Sequence, residues 1–201
     1  MVKAALQLFS QRGLDTPLTA IAKEAGVAVQ TVYFTFHTKS ALLMAAHDYA
    51  VLGEGRTDPL DHPAAERMRR TLGPRAVIEA IVEVNADILP RIGPLLGQMQ
   101  SAIADPEIAA FVADREKLRV EGYGRLVDEL MSRSPLRRGV DREGARDIML
   151  AMTIPQLSLF LIGRRGWSTD EWRKWAVQTL CDQLLPPRRA PARKGSESAA
   201  D

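Results

Sequence analysis

The sequence has one cysteine, three histidines and almost no surplus of charge, and each shortage closes a route. Cys181 stands alone, so no internal disulfide forms within the chain, redox chemistry lacks a partner thiol, and a reducing cytosol is the natural setting. Its expected role is as a small apolar filler on a helix face. His37, His47 and His62 lack the i, i+4 spacing of a helical zinc site and have no cysteine pair beside them, so no metal is expected. With 27 basic and 25 acidic side chains the net charge is +2, so a nucleic-acid role would have to rest on a local site. No run approaches the roughly 18 apolar residues that span a bilayer. The longest, residues 148–155, is broken by Thr153. The chain opens directly into the amphipathic Ala4-Ala5-Leu6 with no signal-peptide pattern, which predicts a soluble, cytoplasmic protein with no membrane partner. Period-two alternation and internal repeats are also missing, and without strands there is no setting for a Gly-rich phosphate loop. The acidic pair Asp170/Glu171 falls at a helix start, where it complements the dipole. Neither an enzyme nor a cofactor is expected.

What is present is helical spacing throughout, so the fold class is all-α. Residues 1–52 carry short helical segments with tight punctuation. Residues 53–74 are rich in glycine and proline, with a short helical stretch near 64–71. Residues 75–185 read as long helices, and we assign 48–185 to one helical body. After Pro186-Pro187 the chain turns basic and polar, cannot bury apolar area, and is predicted to be a disordered tail over 186–201. Asp105-Pro106-Glu107 is a helix start with an Asp cap and proline in first position, and Ser168 with Glu171 makes a capping box.

In the first 47 residues the pattern is that of a helix-turn-helix. Ala5, Leu8 and Phe9 share one face, and Gly13 ends that helix. Thr16-Pro17 reads as a cap followed by proline at the first helical position. Leu18, Ile21, Ala22 and Ala25 stripe the next helix, and Gly26 stops it with a positive φ. Ala22 is small where two helices must cross closely. Val32 points inward on the third helix, which is short enough to lie in a major groove. Thr38 caps a fourth helix, and Lys39 in its first turn is placed to reach a phosphate. The bases Lys3, Arg12, Lys23 and Lys39 against the acids Asp15 and Glu24 leave this head with +2.

The run Ala4-Ala5-Leu6-Gln7-Leu8-Phe9, Arg12-Gly13, Ile21-Ala22-Lys23-Glu24-Ala25-Gly26-Val27 and Thr31-Val32-Tyr33-Phe34-Thr35-Phe36-His37-Thr38-Lys39-Ser40-Ala41-Leu42 resembles the tetracycline-repressor (TetR) family. The resemblance implies a ligand-responsive homodimeric repressor on a palindromic double-stranded DNA operator. It also implies that Thr31, Tyr33 and Lys39 hold phosphates, while Thr19, Val29, Gln30 and Phe34 face bases or the groove wall. His37, beside Thr38, is a further candidate phosphate contact. The sequence departs from the pattern at Ala28, which replaces the usual hydroxyl cap and should weaken the third helix by about 1 kcal/mol. Of the following pair, Gln30 can contact adenine through two hydrogen bonds, whereas Val29 can only touch a thymine methyl. The leading turn and basic arm usual in the family are missing, so either the true start lies upstream or the head lacks those contacts.

The body's ligand has to come from its own residues. Asn85 and Gln156 interrupt apolar stripes and are candidate pocket groups, with Met99, Ile103 and Tyr123 as walls, which suggests a small apolar effector. Residues 141–163 and 168–185 are expected to form the dimer contact. Within them Ile148, Met152, Leu159, Trp172, Ala176, Thr179, Leu180 and Gln183 are the candidate interface, and Pro155 is expected to kink the first segment. The competing reading is a helical protein-interaction module that does not bind DNA.

Overall fold

The computed structural model describes residues 1–56 and 61–187, and all regular structure within them is helical. Most of the expected tail, and residues 57–60 of the breaker-rich stretch, lie outside the described residues. The helices are α1 (Val2–Arg12), α2 (Leu18–Glu24), α3 (Val29–Phe36), α4 (Lys39–Leu52), α5 (Pro63–Arg70), α6 (Pro74–Ser101), α7 (Pro106–Arg133), α8 (Arg142–Met152), α9 (Pro155–Ser158) and α10 (Thr169–Leu184). A π-helical stretch, Leu159–Arg164, continues α9.

Helix starts follow the side chains able to cap them. The Thr38 hydroxyl accepts from Ala41 N–H at 2.9 Å, and Asp105 Oδ1 accepts from Glu107 N–H at 2.9 Å. Ser168 and Glu171 form the reciprocal box, with bonds of 3.2 and 2.7 Å. Ala28 leaves the α3 start without a side-chain cap. Thr16 differs from expectation. Its hydroxyl donates to the Gly13 carbonyl at 2.8 Å, tying down the α1–α2 turn, and residue 17 takes the uncapped N-cap position. Pro155 does more than kink its helix. α8 stops at Met152, Pro155 opens α9, and the two segments bend by 41°. Among the described residues no single helix is long and apolar enough to cross a membrane.

The helices pack around two apolar cores. One gathers Leu8, Phe9, Ile21, Ala22, Val32, Leu42, Leu43 and Ala46 from α1–α4, and is completed by Ile92, Leu95 and Met99 of α6 and Ile108 of α7. The other joins the first half of α6 (Val77, Ile78, Ile81, Val82) to Val127, Leu130, Met149, Trp172 and Leu180. α4 runs unbroken across residue 47, and the first core reaches well into the body. Polar clasps reinforce the junction. Ser40 Oγ donates to Asp105 Oδ2 at 2.8 Å, Leu14 N–H donates to Gln98 Oε1 at 3.3 Å, and Arg91 Nε donates to the Ala50 carbonyl at 2.8 Å. The Arg115 guanidinium grips Asp48 in a two-pronged pair at 2.9 and 3.0 Å while lying 4.7 Å from the Phe111 ring.

Burial pushes the Asp48 carboxyl upward, but hydrogen bonds from His47 and Arg115 and their charge outweigh it and hold its pKa below the ordinary value. A depressed folded-state pKa contributes stability that is present above the unfolded value and lost as pH falls through the folded one. Arg115→Gln should therefore lower stability at about pH 7. The gap to the parent protein should narrow as pH drops below 3.8, read from urea midpoints across a pH series. The caps make a second prediction: Thr38→Ala should destabilise by about 1 kcal/mol and Ala28→Ser should stabilise by a similar amount. Urea melts check both.

Candidate nucleic-acid interface

The turn between α2 and α3 is built by hydrogen bonding as well as by sterics. Gly26, at φ 68°, sends its N–H to the Lys23 carbonyl at 3.2 Å, and Val27 N–H reaches the Ala22 carbonyl at 3.0 Å. These are the two bonds of a Schellman motif, with half-buried Val27 packed on the head core as its apolar contact. Ala22 is buried at this crossing, as its size requires. Gly13 also needs glycine, for a second reason. Its φ is 79°, and a Cβ there would sit 3.2 Å from Gln98 Oε1, the atom that accepts from Leu14.

α3 turns Val32, fully buried, and the half-buried Val29 and Phe36 inward at positions i, i+3 and i+7. The opposite face carries Gln30, Thr31, Tyr33 and Phe34, with Tyr33 54% and Phe34 83% exposed. Thr19 on α2 is also exposed. Eight residues make α3 about 12 Å long, comparable to the width of the major groove. The structure therefore brings six of the eight expected contact residues (Thr19, Gln30, Thr31, Tyr33, Phe34 and His37) to exposed positions, and Lys39 to a half-exposed one. Val29 is the correction: it is half-buried and packs against the head core. Thr35, which the sequence reading passed over, is exposed on the same side as Thr31 and donates to the Thr31 carbonyl at 2.8 Å.

His37 links α3 to α4 with φ 58° and ψ −47°, and Thr38 N–H bonds the Phe36 carbonyl across it at 2.6 Å. This is a γ-turn with positive φ at a non-glycine residue, a strained conformation. Among the described residues it is the only positive φ outside glycine. Lys39 follows at the start of α4. The Lys39 ammonium has no hydrogen-bond or ion-pair partner among the described residues.

The expected pocket residues separate into four places. Asn85 Nδ2 donates to the Ile81 carbonyl at 2.8 Å and to Tyr123 Oη at 2.9 Å, and Tyr123 Oη lies 2.6 Å from Thr153 Oγ1. Thr153 in turn donates to the Met149 carbonyl at 2.7 Å, so the Tyr123 hydroxyl donates to Thr153. Burial pushes the Tyr123 phenol pKa up, against the lowering effect of Thr153 and Asn85, and it stays neutral. Asn85, Thr153 and Ser158 edge a void of about 10 Å³ whose other walls are Ile88, Leu89, Ile92 and Pro155. Met99 is elsewhere, buried in the head-side core, because α6 has turned it toward α1 and α4. Ile103 is exposed in the α6–α7 turn, and Gln156 faces solvent at the start of α9.

Of the expected dimer residues, Trp172, Ala176 and Leu180 are fully buried within the chain's own body core. They need no second subunit to cover them, which corrects that part of the expectation. Thr179 and Gln183 sit on the outer side of α10, half-buried and exposed. Ile148 and Met152 are half-buried on α8, while Leu159, with the unanticipated Phe160, is exposed on the π-helical stretch.

A Schellman-turned helix pair with an exposed polar and aromatic face, joined through a shared core to a helical body, is the form of a helix-turn-helix head carried on a helical body. The sequence model of the bacterial regulatory proteins of the tetR family matches residues 1–46. No curated protein matches the chain. Solved structures share the whole fold. The transcriptional regulator from Saccharomonospora viridis solved in complex with choline has a TM-score of 0.72 at 17% identity, covering 92% of this chain and 95% of that one. NalD of Pseudomonas aeruginosa, the secondary repressor of the MexAB-OprM multidrug efflux pump, has 0.63 at 21%, covering 92% and 93%. The fatty acid degradation regulator FadR of Bacillus halodurans has 0.64 at 19%, covering 89% and 91%. Residues 1–46 are thus a DNA-binding head of the tetR-family type, and the chain as a whole shares the fold of these solved regulators. The reading as an interaction module without DNA has no support.

A phosphate contact contributes to the salt dependence of DNA binding, close to one unit of log–log slope per ion released. Lys39→Gln should therefore reduce the slope of log K against log salt by about 0.9, a change read by fluorescence anisotropy on labelled duplex. An unchanged slope would show that Lys39 touches no phosphate.

Proposed function

We propose that the chain is a homodimeric repressor that binds a palindromic operator through α3 and is controlled by a small, largely apolar effector in the body. The observation that carries this reading is the split of polar groups between two places. An outward set on α3 and the α4 start has unspent hydrogen-bonding capacity. An inward set, Asn85–Tyr123–Thr153, lies against apolar walls with almost all its donors spent internally. Asn85 Oδ1 is left as the inward acceptor, suited to a hydroxyl or amide N–H on an otherwise apolar molecule. A void of about 10 Å³ holds no more than a water, so an effector has to open it by moving α6 against α9.

That movement has a route to the head. Ile92 walls the void and also belongs to the head-side core, and Gln98, less than two turns further along α6, accepts from Leu14 at the α1–α2 turn. An effector works here through its differential affinity for the open and closed arrangements. Choline in the Saccharomonospora viridis regulator and the repressor role of NalD support the effector and repressor parts by analogy. For the dimer we propose the outer sides of α8, the π-helical stretch and α10, through Ile148, Met152, Leu159, Phe160, Thr179 and Gln183. Two-fold pairing sets two α3 helices on successive turns of a duplex.

Gel retardation on the intergenic DNA flanking the gene is the direct test. The parent protein should shift that DNA at low salt, and Tyr33→Ala with Lys39→Ala should abolish the shift while leaving the dimer intact by analytical ultracentrifugation. No retardation by an intact dimer would sink the repressor reading.

A further inference from the structure

A second opening, larger than the body void, lies elsewhere. A groove of about 270 Å³ opens where head meets body, lined by Leu14, Leu43, Ala102, Ala104 and Ile108 and by the polar residues Lys39, Ser40 and Asp105. Three elements that the fold must hold in register meet there: the α1–α2 turn, the start of α4 and the α6–α7 turn. Its walls are apolar and its two charges are unequal in state. Asp105 is committed, accepting from Ser40 at 2.8 Å and from Glu107 N–H at 2.9 Å, whereas Lys39 has no partner among the described residues. An apolar trough with one unspent cation at its edge is complementary to a molecule with a short hydrocarbon tail and one anionic head. Cavities for drug-sized ligands begin near about 300 Å³, so the size fits a small amphiphile.

We infer that this head–body groove binds a small amphiphilic anion of the medium-chain carboxylate class, its tail against Leu14, Leu43, Ala102 and Ile108 and its carboxylate on the Lys39 ammonium. The inference rests on the DNA-binding reading only for its consequence. A carboxylate on Lys39 neutralises its charge and repels an operator phosphate, so the ligand weakens DNA binding, and by linkage operator DNA weakens ligand binding by the same factor. The site is separate from the body void, and occupying it requires no rearrangement of α6 against α9.

Sodium octanoate is the probe, titrated calorimetrically into the full-length protein, with octylammonium chloride as the charge-reversed control. The expected result is saturable binding at one site per chain, at least tenfold weaker in Lys39→Gln and lost in Ala104→Trp, which fills the trough from an exposed position. Circular dichroism confirms that both variants keep the parent's helix content. Ala104→Phe is the substitute if the tryptophan variant fails to fold. Absence of saturable octanoate binding, equal affinity for octylammonium, or unchanged affinity in both variants overturns the site. In gel retardation, octanoate should release DNA from the parent protein. Retardation unaffected by saturating octanoate overturns the competition while leaving the repressor reading standing. Failure to retard DNA without octanoate counts against the repressor reading alone, since the calorimetry is done without DNA.

Discussion

Between Ala86 and Ile92, α6 passes from one hydrophobic core into the other. Its first half packs with α7, α8 and α10, and its second half completes the core under the helix-turn-helix. The head does not close its own core. Without Ile92, Leu95 and Met99 the inner faces of α1 and α4 would lie open to water, a loss on the order of a few kcal/mol at about 25 cal/mol per Å². A displacement of α6 relative to the body must therefore be felt in the head. Pro90 and Pro94 lie at this crossing and leave the carbonyls of Ala86 and Pro90 without their usual helical donors. Gly93 lies between them, where a Cβ would come within 2.9 Å of Leu159 Cδ2. The segment that connects the cores thus lacks two helical hydrogen bonds and lies close to the π-helical stretch.

The exposed face of α3 depends on the same economy of interactions. α3 is only eight residues long and has no side-chain cap, so it is held by its Val29–Val32–Phe36 stripe and by the turns on either side of it. The Schellman turn before it is relaxed, because glycine occupies the positive-φ position. The γ-turn after it is strained, because histidine does. Strain at that point persists because Thr38 caps α4 firmly and Leu42 and Leu43 anchor the helix below. The exposed aromatics Tyr33 and Phe34 gain nothing from the fold of the single chain, which is consistent with a surface built for contact.

The head–body clasps join residues far apart in the chain. Ser40 with Asp105, Asp48 with Arg115 and Leu14 with Gln98 are separated by 65, 67 and 84 positions. None belongs to a spacing pattern, and each member taken singly looks like a capping or surface residue. Together they hold the helix-turn-helix at a definite attitude to the body, and around Ser40 and Asp105 they enclose the groove that the separate helices do not contain.

Local chemistry settled the elements themselves. The alternation of apolar residues at helical period, the glycines at 13 and 26 and the Thr38, Asp105 and Ser168 caps act within a few residues of themselves, so the linear sequence was sufficient to place them. Tertiary structure decided which side of each helix was already occupied. Trp172, Ala176 and Leu180 looked like an interface because they form an apolar stripe, but α6 and α8 had covered them. Met99 and Asn85 share a helix yet serve different cores, because fourteen residues of α6 separate them across the junction. An apolar stripe reports that a face must be covered. Only the packing of the whole chain decides what covers it.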